Sequence, residues 1–207
     1  MLTLLASCST SVPQMQKSES ASMPQEENRL KLVIPTAWSN PASFKRIDER
    51  TKEAHLPNLR STLLPNDDIE LRVWIEFAKQ ASPQGFIIKR TAGQWAATYL
   101  ESINLTTHAP YQVNLNTPKS GWESFWSHLN EEGILSLPDS SELKGQEMAV
   151  DGVSYVVETN MNGTYRIYSY VNPRYQKWPE AKQMIKIVAT LIDEFGIRAG
   201  RRLLDEA

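Results

Sequence analysis

A single cysteine, Cys8, stands in 207 residues. An intramolecular disulfide is therefore impossible within this chain, and the fold must rest on its core. No stretch approaches the roughly 18 consecutive apolar residues of a spanning helix. Charge of one sign is also missing. Lys and Arg number 22 against 24 Asp and Glu, a formal net charge of -2. That balance supplies no broad basic field, so nucleic acid is not an expected partner. Histidine is scarce and dispersed: His55, His108 and His128, with one cysteine, make no metal-ligand spacing. The sequence contains no Gly-x-Ser-x-Gly, phosphate loop, zinc-helix motif or Cys–His pairing, and no repeat at solenoid spacing. It therefore nominates no catalytic residue, no metal and no cofactor. Catalytic groups distant in sequence escape such motifs, so a small periplasmic hydrolase or transferase stays as an alternative.

What is present is an ordinary globular balance, with 41% apolar and 22% charged residues. Tryptophan is abundant, six in all, and each brings a large area to bury and one N–H to pair. The start of the chain reads Leu5-Ala6-Ser7-Cys8. This resembles the lipobox of bacterial lipoproteins, in which the cysteine becomes the first mature residue and carries acyl chains such as palmitate. The resemblance implies lipidation at Cys8, with residues 1–8 as part of a signal. Ser9 after the cysteine resembles the sorting pattern for the outer membrane, facing the periplasm. No Lys or Arg precedes Cys8, where a signal peptide carries a basic region; a start further upstream would account for this. Residues 9–29 are too polar to bury anything and are expected to be a disordered tether.

Residues 30–65 read as a partly ordered lead-in, with a short strand at 30–34 and a short helix at 43–54. A domain over 66–197 follows, and a tail over 198–207. Residues 69–77 alternate strictly, Ile69, Leu71, Val73, Ile75 and Phe77 against Glu70, Arg72, Trp74 and Glu76. Period two predicts a strand with one buried face. Strands are also predicted at 86–90, 94–103 and 111–115, joined as an antiparallel meander. Trp122, Phe125, Trp126 and Leu129 then fall on one helical face, with Ser120 as N-cap and Gly133 as stop. Residues 153–159 and 164–171 flank Asn162-Gly163, which suits a tight type I′ hairpin. That turn sets Tyr155 opposite Tyr170, Val157 opposite Tyr168, and Thr159 opposite Arg166. Last comes a helix from Pro179 to a cap at Gly196. Its apolar stripe is Ala181, Met184, Ile185, Val188, Leu191, Ile192 and Phe195. The fold class is α+β: an antiparallel sheet of about five or six strands packed by two helices, a two-layer sandwich.

Two sets of residues are candidates for binding. Arg72 on the polar face of the 69–77 strand could clamp a carboxylate or phosphate beside a stacking Trp74. The alternative is a solvated face with cross-strand ion pairs. On the hairpin, Tyr155, Arg166, Tyr168 and Tyr170 could form a sticky groove for a glycan or peptide. The alternative is rings packed under the last helix, with Arg166 paired to Glu158 or Asp151. Glu70-Leu71-Arg72-Val73-Trp74, Gly93-Gln94-Trp95, Trp122 with Phe125 and Leu129, Asp151-Gly152 with Tyr155 and Glu158, and residues 165–170 with Asn172-Pro173 together resemble a loose group of uncharacterised bacterial envelope proteins. The resemblance spans 68–195. It implies an envelope compartment and a shared fold, and it carries no substrate or catalytic residue. The expectation is thus an envelope lipoprotein whose partners are the membrane, through its anchor, and an envelope protein or cell-wall component. A cytoplasmic accessory protein without lipid is the remaining alternative.

Overall fold

The alternation at 69–75 builds the centre of the sheet. In the computed structural model, which describes residues 29–75, 84–103, 110–145 and 153–197, Ile69–Ile75 forms strand β2. Antiparallel to it and then to one another follow β3 (Gln84–Thr91), β4 (Gln94–Ile103) and β5 (Pro110–Leu115). The hairpin supplies β6 (Ser154–Met161) and β7 (Thr164–Val171). Asn162 and Gly163 take φ of 48° and 65°, as a type I′ turn requires. The hairpin register is the one expected: Tyr155 opposite Tyr170, Val157 opposite Tyr168, Thr159 opposite Arg166. A further strand, β1 (Lys31–Val33), pairs parallel to β7. The sheet is open, in the order β1-β7-β6-β2-β3-β4-β5, and antiparallel except at β1. Seven strands replace the five or six expected. Residues 1–28, 76–83, 104–109, 146–152 and 198–207 lie outside the described residues, and with them Cys8, the tether, the end of the first predicted strand, His108, Asp151 and the tail.

Helix α1 (Pro41–Glu53) begins at Asn40, whose Oδ1 accepts from Ala42 N at 2.9 Å, with Pro41 in the first position. It buries Phe44, Ile47 and Thr51, a spacing of one helical face. Helix α2 (Trp122–Glu131) buries Phe125 and Leu129. Its N-cap is Gly121, not Ser120. Ser120 N instead donates to Glu194 Oε2 at 2.8 Å, which ties the start of α2 to the end of the last helix. Gly133, at φ 85°, reverses the chain after α2 as expected. Helix α3 (Pro179–Phe195) stops at Gly196, φ 65°. Its buried stripe contains Ile187, whereas Ile185 is only half-buried. Successive residues of a strand face opposite ways, and here both faces are covered. Leu71, Val73, Ile75, Phe86, Ile88, Tyr155, Val157, Tyr168 and Tyr170 pack against α2 and α3. Trp74, Ile87, Leu100, Val156, Tyr165 and Ile167 pack against Trp38, Phe44, Ile47, Ala54 and Leu59. The two-layer expectation is therefore corrected to three layers. Residues 30–65 are not a lead-in; they are the cover of the second face.

Beyond the three residues of β1, the edge of β7 would stand open, and an open edge invites pairing with another chain. Asp139 closes it. Its Oδ2 accepts from Ser169 N (2.7 Å), Ser169 Oγ (3.0 Å) and Trp38 Nε1 (3.1 Å), while Oδ1 accepts from Ser141 N (2.9 Å). One buried carboxylate thus joins a residue of the α1 layer, the edge strand, and the turn after α2.

Candidate functional site

The polar face of β2 gathers Glu70, Arg72, Glu158 and Asn160, all of them buried. Arg72 Nε and Nη2 donate to Glu70 Oε1 at 2.8 and 2.6 Å. Lys89 Nζ lies 3.2 Å from Glu70 Oε2. Arg72 Nη2 reaches the carbonyl of Pro57 at 2.8 Å, and Asn160 Nδ2 reaches those of Leu59 (3.0 Å) and Thr62 (2.6 Å). Buried carbonyls need donors, so the 57–62 segment is fixed to the sheet by these polar side chains. Glu158, in register with Arg72 across β2 and β6, accepts from Trp74 Nε1 and from Tyr165 Oη, each at 2.9 Å. Burial pushes its carboxyl above the ordinary value of 4.5; the Arg72 charge and the two hydrogen bonds oppose that. The same burial, with Glu158 alongside, raises the Tyr165 phenol. Arg72 Nη1 and Asn160 Oδ1 are buried with no hydrogen-bond partner among the described residues.

Arg72 and Trp74 are thus 0% and 1% exposed. Buried this far, they offer no ligand clamp at the surface and the face is not solvated, although the cross-strand ion pair of the alternative is present in Lys89 with Glu70. The hairpin residues are placed similarly. Tyr155, Tyr168 and Tyr170 are buried against α2 and α3. Tyr168 donates to the carbonyl of Ile134 at 2.9 Å, and burial raises its phenol. The Tyr170 phenol is raised by burial and then by the carboxylates of Glu180 and Asp139. Arg166 is half-buried, donates Nη2 to the carbonyl of Leu137, and lies 4.7 Å over the Tyr168 ring. Glu158 is not its partner, because odd and even residues of β7 face opposite layers. Packing of the rings under α3 is the arrangement observed, and no groove opens between them.

The accessible features lie elsewhere. Trp95 stacks on Trp122 at 5.6 Å and 8°, touches Trp126 at 5.3 Å, and has the Arg90 guanidinium 5.6 Å away. These three half-buried rings rim the α2–α3 core. A groove of about 460 Å3 between α2 and α3 is lined by His128, Glu131, Glu132, Lys186, Asp193 and Glu194 among others. Lys186 pairs with Glu132 at 3.3 Å there. His128 is exposed, as its place off the stripe predicts. Among the described residues no group of three or more His, Cys, Asp and Glu is placed to hold a metal ion. A slot beside Tyr155, Asn172 and Ile185 has only about 10 Å3, room for one water at most. The largest of these openings, about 570 Å3, lies at the tip of the β6–β7 hairpin. It is lined by Arg29, Lys31, residues 63–66 and residues 162–164. Sequence reasoning missed it, because its walls come from three segments brought together by the parallel pairing of β1 with β7 and the antiparallel pairing of β2 with β6. Compared with known proteins, the chain matches no family model and no curated protein.

Proposed function

We propose that this chain is a non-catalytic interaction domain of the bacterial envelope, held to the membrane by acyl chains on Cys8. The observation that carries the reading is the division between its charges. The charged groups gathered on the polar face of β2, Glu70, Arg72, Lys89 and Glu158, are engaged with one another, with neighbouring strand side chains or with the sheet's cover. A general acid or base must reach its substrate's proton, and these carboxylates face protein. The hairpin-tip groove, by contrast, is open and polar, and Arg29, the first described residue, lines it. Its volume falls within the range of small-ligand clefts. About twenty residues separate Cys8 from Arg29, so the domain stays within roughly 70 Å of its anchor whatever path they take. Two acyl chains hold a protein at a bilayer stably, at about 0.8 kcal/mol per buried methylene.

Mass spectrometry of the native protein tests the anchor. The expected mass is that of a chain beginning at an acylated Cys8, and Cys8→Ser should release the protein from the membrane fraction. A native chain with an unmodified Cys8 thiol contradicts the reading and favours the accessory protein without lipid.

A further inference from the structure

The geometry points to a binding site for a phosphate group in the hairpin-tip groove, taken from either a lipid headgroup or a phosphate-bearing molecule in solution. The site deepens the interaction-domain reading and does not depend on acylation of Cys8. Two cations line the groove, Arg29 and Lys31, and no aspartate or glutamate does. Neither cation is in an ion pair with a described residue, whereas Arg72 and Lys89 hold Glu70, and Arg60 holds Asp48. The carboxylate next in sequence to a lining residue, Asp67, follows Asn66, is exposed and does not itself line the groove.

The cations are held in place by backbone, not by chance of side-chain packing. Lys31 N donates to the carbonyl of Gly163 at 2.7 Å, and Lys31 is in register with Thr164. That fixes the start of β1 against the hairpin, and Arg29 and Lys31 both line the groove there. Asn66, Asn162 and Thr164 add amide and hydroxyl donors around the opening. Arginine with lysine and neutral donors is the set that recognises a phosphate, the guanidinium by a two-bond fork and the ammonium as a point charge. A carboxylate fits the charge but fills fewer of the donors. Leu63, 44% exposed, gives the groove an apolar lip, which suits the carbon framework of a glycerol or sugar phosphate.

The test uses the full chain with Cys8→Ser, so that acylation plays no part. Inorganic phosphate is titrated at constant ionic strength against chloride, and amide shifts are followed by NMR. Saturable shifts at Lys31, Asn162, Gly163 and Thr164 are expected. The double variant Arg29→Ala/Lys31→Ala should weaken binding at least tenfold, while Lys182→Ala on the exposed face of α3 leaves it unchanged. Both groove residues are exposed, so the variant's unfolding midpoint should match the parent's. Vesicles of phosphatidylglycerol in phosphatidylcholine separate the two sources. Co-sedimentation that the double variant abolishes assigns a lipid headgroup; phosphate shifts without co-sedimentation assign a soluble ligand. Absence of saturable shifts at the groove, or shifts undiminished in the double variant, overturns the assignment. A negative titration beside an acylated native Cys8 sinks this site alone and leaves the anchored domain standing.

Discussion

Glu158 shows how one residue's surroundings decide its chemistry. Its carboxyl receives two hydrogen bonds and faces Arg72, yet burial outweighs them and raises its pKa above 4.5. From 4.5 up to that raised value, the folded state keeps a proton that the unfolded chain has released. Stability contributed by this group therefore falls as pH rises through the window. Glu158→Gln has no proton to lose. Urea midpoints measured from about pH 4 to about pH 8 should decline less steeply in the variant than in the parent. Equal slopes in the two proteins would show that Glu158 ionises in the fold as it does in water. Gly85 makes the complementary point about space. It lies opposite Trp74 in the β2–β3 register, and a Cβ there would stand 2.9 Å from the carbonyl oxygen of Val73 and 3.3 Å from Trp74 Cε3. A backbone oxygen has little freedom to retreat. Gly85→Ala should cost about 1–3 kcal/mol, read as a lower urea midpoint at unchanged m-value. A midpoint equal to the parent's would mean that the strand shifts at no cost.

At the scale of elements, the strands and helices that pack on α2 and α3 were legible because their periodicity is clean. β2, the hairpin register and the limits of α3 all follow from spacing and turn residues. The cover over the second face was not legible. Helix α1 buries only Phe44, Ile47 and Thr51 among charged neighbours, a thin stripe that reads as a linker. The face that it covers also misled, since Glu70, Arg72, Glu158 and Asn160 resemble the wet side of an antiparallel sheet. One signal was available: Trp74 shares that face, and a large indole seldom stands in water without a reason. A second was the pairing of opposite charges, Arg72 with Glu158, across neighbouring strands. The candidate binding residues failed for the same cause. A sequence reports polarity and aromaticity, and here both were used to fix a cover and fill a core. If α1 is structural, Ile47→Ala, at a side chain 1% exposed, should cost about 2–5 kcal/mol and lower the midpoint for the whole domain. A helix that merely decorates the domain would lose less than about 0.5 kcal/mol.

The molecule as a whole is a sheet closed on both sides, with its charges sorted by access. Those within the fold are paired and bind the 57–62 segment to the strands; those at the hairpin tip are open and pair with no described residue. This sorting underlies both the proposed interaction role and the phosphate site, because a buried cluster that served as the binding surface would leave the groove without a purpose. The Trp74 indole N–H reports on it most directly, lying between Glu158 and the cover. Hydrogen exchange of that single proton, followed by NMR in the full chain, is the decisive measurement. The three-layer structure requires it to exchange only through global unfolding, as slowly as the most protected amides of β2 and β6. Exchange at the rate of a free indole would place Trp74 in water and return the face to the surface of the protein.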